Sequence, residues 1–180
     1  MSNWFVVVSA RNWVASVSHQ GKRVLELEQY IRFIDSRENI FAEWRPNPLD
    51  TPDFSNIEDH FFITAAHKSV EWLNEALKRE LVPEGLITPF LRASEHVKVV
   101  RDIREHHLKY INGGGWQRDK DVATVEIDGI DGACQIDASS VMTTDEGRII
   151  GGRVNVQKIM QEADNLYPAL TQILQSLPGD

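Results

Sequence analysis

The densest run of groups able to move protons or hold charge lies between residues 95 and 110. It reads Glu95-His96-Val97-Lys98-Val99-Val100-Arg101-Asp102-Ile103-Arg104-Glu105-His106-His107-Leu108-Lys109-Tyr110. Three of the six histidines fall here, and residues 92–109 carry five basic and three acidic side chains. Arginine supplies a permanent charge in a planar fork that matches a phosphate or carboxylate. Histidine titrates near neutrality and can pass a proton in either direction. An arginine and a histidine on one helix therefore combine anion binding with acid–base work.

The spacing sets where these groups point. At about 100° per residue, Val97, Val100, Ile103, Leu108 and Ile111 mark one apolar arc. His107 falls near its middle, His96 about 20° from it, and Arg104 within it. Arg101, His106 and Tyr110 sit on its flanks. A polar group on an apolar face must find a partner, since unpaired burial costs on the order of 1–3 kcal/mol. Arg104 and His107 are three apart and can meet the same partner. Two readings follow. His96 and His107 are core histidines satisfied by another helix, with Arg104 as a buried tie. Alternatively, the Arg–His pair opens into a cleft or a dimer seam.

Arg101-Asp102-Ile103-Arg104-Glu105-His106 is an arginine and a histidine with four residues between them, or five if His107 is counted. This resembles the arginine-to-histidine motif of the HEPN superfamily of helical domains, and Asp102 fills the polar position that often follows the arginine. The resemblance covers roughly residues 20–113. It implies a compact helical bundle with the motif on a late helix, and pairing of two protomers so that both motifs face one cleft. It further implies a metal-independent ribonuclease or an RNA-binding module, of the kind found in bacterial toxin–antitoxin and defence systems. Arg101 would then hold the phosphate, Arg104 would support it, and His106 or His107 would shuttle the proton. The alternative is a non-enzymatic interaction or scaffold protein in which the motif only holds helices together.

A histidine metal site is the chemical rival. His60 and His67 are seven apart, two turns along one helix face, and His96 or His107 would complete a three-histidine set between helices. No His-x-x-x-His or paired Glu-x-x-His supports it, so no metal and no cofactor is expected. Gly113-Gly114-Gly115 lacks the Lys-Ser/Thr of a phosphate loop. It reads as a helix end. Cys134 reads as a small strand residue, and a single cysteine makes neither an internal disulfide nor a cysteine-based zinc site.

The elements that must position these residues begin with an ambiguous stretch. Val6-Val7-Val8 favours a strand, but Trp4, Val7/Val8, Arg11, Val14/Ala15 and Ser18 recur at helical spacing, which predicts a helix over 3–18. Gly21 is expected to break it, and a second helix is expected over 22–35. Pro46, Pro48 and Pro52 predict a surface loop over 44–53. Ser55-Asn56-Ile57-Glu58 matches a capping box and predicts a helix to about residue 79. A break follows over 81–85. Thr88-Pro89 is expected to open one helix running to Ile111.

Beyond Gly115 the pattern changes. Val122 to Ile127 alternates, Asp128 to Gly132 is turn chemistry, and residues 133–138, 141–143 and 148–150 read as further strands. Val156, Ile159/Met160, Ala163, Leu166, Leu170, Ile173/Leu174 and Leu177 form a last helical pattern, expected to be interrupted near Pro168. The fold class is α+β: a helical bundle over 1–115, then a small antiparallel β-meander and a C-terminal helix over 116–180 packed on it.

Composition bounds the rest. With 42% hydrophobic and 26% charged residues over 180, the chain can bury a core. No apolar run approaches the ~20 residues of a membrane span, so no membrane partner is expected. A cytoplasmic setting fits the cysteine count. Residues 1–120 hold 16 basic and 17 acidic side chains, and residues 121–180 hold 3 and 10, giving −1 and −7. Phosphate contacts need Lys and Arg, so an RNA partner must use a local basic site in the first part of the chain. The acidic region favours the interaction reading or an autoinhibited form of the RNA reading, with a homodimer as the form the resemblance implies. Trp44 and Trp116, in predicted loops, are the tryptophans most suited to an interface.

Overall fold

Val6, Ala10, Val14, Val17, Gly21 and Val24 are all buried and recur at three- and four-residue steps. They form the inner stripe of one long helix, α1 (Asn3–Ser36). In the computed structural model the described residues are 1–36, 55–106, 112, 122–126, 133–138 and 140–177. The predicted loop over 44–53, His107, Tyr110, the glycine run 113–115 and Trp116 lie outside them. The break expected at Gly21 does not occur. A Cβ at Gly21 would overlap the Met160 side chain, so the glycine serves as the point of closest approach between helices. The tight packing offsets the roughly 1 kcal/mol that glycine costs inside a helix.

Helix α2 (Ser55–Lys78) follows the predicted bounds and runs antiparallel to α1. Phe5 meets Trp72 edge-on with ring centroids 5.7 Å apart, whereas Gln20 and Arg23 reach Glu58 at the other end. Glu58 therefore spends its carboxylate on α1, and the guanidinium of Arg23 holds it below the usual carboxylate range. The chain leaves α2 through a left-handed Glu80 (φ 57°), whose N–H donates to Leu77 while Leu81 N–H donates to Ala76. That pair of bonds is a Schellman closure.

The single helix expected over 88–111 is two. Helix α3 spans Glu84–Ala93 behind Pro83, and α4 spans Val97–Glu105. Ser94, Glu95 and His96 form the turn between them, with Val97 N–H donating to Ser94 O at 3.1 Å. The physical reason is that the halves serve different partners: α3 packs chiefly on the last helix and α4 on α2. Pro89 does not open α3 but sits inside it.

The strands divide into two sheets. β1 (Val122–Glu126) pairs antiparallel with β2 (Ala133–Asp137), Val122 opposite Asp137. β3 (Val141–Thr144), β4 (Gly147–Ile150) and the unforeseen β5 (Val154–Asn155) form a second antiparallel sheet in that order. Sequential antiparallel pairing holds, but β2 and β3 do not pair. Between them Asp137 turns the chain by accepting from the Ser140 N–H and hydroxyl.

Helix α5 (Val156–Ser176) starts at Asn155, whose side chain accepts from Lys158 N–H. The interruption expected at Pro168 is absent. Pro168 is exposed, so the carbonyl it leaves without a helical donor has access to water. α5 packs along α1, α3 and β4. One apolar cluster joins Val14, Phe62, Phe90, Val100, Ile150 and Leu170, one residue from each of six elements. The architecture is α+β, with helices first, small antiparallel sheets next and a closing helix.

Candidate functional site

Val97, Val100 and Ile103 are buried and seat α4 against α2. That contact turns Arg101 toward α2 and leaves its side chain one-quarter exposed. Its Nε donates to Glu105 Oε1 at 2.9 Å, its Nη2 lies 2.6 Å from Glu105 Oε2, and its Nη1 donates to Asp102 Oδ1 at 3.1 Å. Nη1 also lies 3.3 Å from Nε2 of His67, a buried side chain on α2.

Arginine can only donate, so His67 Nε2 accepts and its proton sits on Nδ1. Among the described residues that Nδ1 is buried without a partner. Burial pushes the imidazole below its ordinary value, and the nearby Arg101 charge adds to this. Glu71, 3.4 Å from Nε2, pulls the other way and is outweighed. His67 is therefore neutral at pH 7, beside an arginine already held by two carboxylates.

Arg104 is a tie, as in the first sequence reading, but half-buried where that reading had it buried. Its Nη2 donates to Asn56 O at 3.0 Å and its Nη1 to Ala138 O at 3.4 Å. It thus pins α4 to the start of α2 and to the end of β2. Burial lowers its pKa, and Asp59 draws it partly back. His106 is exposed at the end of α4, with its backbone N–H shared between Asp102 O and Ile103 O. His107 lies outside the described residues.

His96 is exposed, not turned inward as the helical arithmetic implied. That arithmetic assumed one continuous helix, and the turn over 94–96 resets the phase. His60 is half-buried two turns before His67. Among the described residues no three histidine, cysteine or carboxylate side chains converge as a metal-holding group. His67 commits Nε2 to an arginine, where a metal would have to sit.

Sequence reasoning missed the other polar centre. Asp59, wholly buried on α2, accepts from Arg148 Nε at 3.1 Å and Nη2 at 2.9 Å. Glu28 of α1 approaches the same guanidinium at 3.9 Å and accepts from the Thr143 hydroxyl. A signal existed: Asp59 shares its helix face with Phe62, Ala66 and Leu73, three, seven and fourteen residues on. Arg148 stands two residues before the buried Ile150 on β4, so the two share a face and Arg148 points inward too. No helix among the described residues is long and apolar enough to cross a membrane. No protein-family model, curated protein or solved structure matches the chain.

Proposed function

We propose that the protein is a non-enzymatic interaction module in which the motif's arginines, Arg101 and Arg104, hold helices together. The observation that carries this reading is the occupancy of Arg101. Its donors go to Asp102, Glu105 and His67. A phosphate entering here would displace those contacts and stand among Asp102, Glu105 and Glu71. Three carboxylates around one guanidinium make a poor site for a polyanion. The exposed Ile57 and Phe61, one turn apart on α2, suit a protein partner. The proposal includes a cytoplasmic setting, consistent with a single cysteine, and a protein partner or a second copy of the chain.

A second reading, an RNA-cleaving or RNA-binding HEPN-like module from a bacterial system, draws on the contact between Arg101 and a neutral imidazole. Such a pair supplies the fixed cation and the proton acceptor that 2′-hydroxyl attack needs. Incubation of the purified protein with total RNA in EDTA separates the two. The interaction reading expects no cleavage and no salt-dependent RNA binding. It also expects a lower melting temperature for Arg101→Ala. Cleavage by the wild type, lost in folded Arg101→Ala and His107→Ala, would overturn it in favour of the second.

A further inference from the structure

A groove of about 700 Å³ runs between the turn joining α3 to α4 and the β3–β4–β5 sheet, and reaches the first turn of α5. That volume is within the range of small-molecule sites. The groove shares no residue with the cluster around Arg101. Arg92 and His96 line it from the helical side, and Arg153 and Lys158 from the sheet side and α5. Residues 121–180 contain only three basic side chains. Arg148 is committed to Asp59, and the other two both line this groove.

Glu95, Asp145 and Glu146 line it as well. Among the described residues, the side chains of Arg92, His96 and Lys158 have no ion-pair or hydrogen-bond partner, nor do those three carboxylates. The neutral polar groups of the sheet wall each already bond within the protein. Thr143 donates to Glu28, and Thr144 donates to Gly147 O. Asn155 accepts from Lys158 N–H and donates to Glu146 O. Arg153 is steadied by one bond, from Nη2 to Val122 O at 3.2 Å, which leaves the rest of its fork open. Of the side chains left wholly without partners in the groove, five are therefore permanently ionisable as Arg, Lys, Asp or Glu, and they are of both signs. Ala93, Met142 and Ile149 add apolar surface.

We propose that this groove binds a small amphoteric ligand of the amino-acid or dipeptide class. Its carboxylate would be held by Arg92, Arg153 and Lys158, its ammonium by Glu95, Asp145 and Glu146, and its side chain by the apolar surface. A polyanion would meet three carboxylates and a polycation would meet three permanent cations. A ligand with one charge of each sign meets a complement for both.

The test is a titration of ¹⁵N-labelled full-length protein with L-leucyl-L-leucine, its N-acetyl form and its C-terminal amide. The dipeptide should give saturable amide shifts centred on Thr143, Thr144, Gly152 and Lys158. Removing either ligand charge should weaken binding about tenfold or more, the loss expected for a charge-assisted contact. Lys158→Gln and Glu95→Gln, both exposed positions, should weaken the dipeptide by a similar factor while their spectra report an intact fold. Absence of saturable shifts at millimolar dipeptide would overturn the assignment. So would shifts scattered over the whole surface, or capped ligands that bind as well as the parent.

Discussion

Asp59 of α2 and Arg148 of β4, 89 residues apart in sequence, close on each other as a bidentate ion pair in the interior. Glu28 and Arg104 stand beside them, so one charged centre ties α1, α2, α4 and the second sheet. Removing one partner strips the other of its paired hydrogen bonds in the interior, with Glu28 at 3.9 Å a weaker substitute for Arg148. Arg148→Met or Asp59→Leu alone should therefore lower unfolding free energy by about 3–5 kcal/mol. The double variant should lose clearly less than the sum, because neither charge remains. Urea unfolding of the four proteins in this cycle gives the answer, and additive losses would show that the pair is not coupled.

Gly21 should resist the substitution that helix propensity recommends. Alanine is favoured over glycine inside a helix by about 1 kcal/mol. Here a Cβ would run into Met160 of α5. Gly21→Ala should be destabilising by about 1 kcal/mol or more, and Gly21→Val by more still, as expected of overpacking. Shortening the opposing side chain with Met160→Ala should relieve part of the Gly21→Ala cost. A positive coupling in denaturant melts supports the contact, and a stabilising Gly21→Ala would refute it.

Glu80 offers the opposite change. It occupies the left-handed position that closes α2, where a Cβ is strained and glycine is not. Its side chain is exposed. Glu80→Gly should stabilise the protein by roughly 0.5–1 kcal/mol, and Glu80→Val should destabilise it. Thermal melts of the two variants should move in opposite directions.

The pH dependence of stability should carry the mark of His67. Its folded-state pKa is lowered from the ordinary 6.5, chiefly by burial. Protonation therefore favours the unfolded chain. The stability this contributes is complete above pH 6.5 and is lost as pH falls from there toward the lowered folded value. Glu58 and Glu71, also lowered but from 4.5, lose their contribution in a separate and more acidic window. Urea midpoints measured from pH 7.5 to 5 should decline for the wild type and stay flatter for His67→Gln. Equal slopes would remove His67 from the account.

Residue spacing was enough to name helix or strand for every element except β5, and to mark most of the helix faces. The stripes of α2 and α5 were legible because an amphipathic helix writes its buried face into its own spacing. The strands of 122–150 were legible from alternation and turn residues. Arg104 was legible as a tie because it falls on the apolar arc of its helix. What the tertiary structure alone decided is which element stands opposite which. Periodicity says that a side chain faces inward and nothing about what it faces there. Thus Gly21 read as a break until Met160 lay against it, and the helix over 88–111 read as continuous until its halves met different partners. His67, 34 residues from Arg101 in sequence, read as a weak metal ligand until packing of α4 on α2 made it the arginine's acceptor. Asp59 and Arg148 each looked like an ordinary charge, and only the fold, by burying both, made each the required partner of the other.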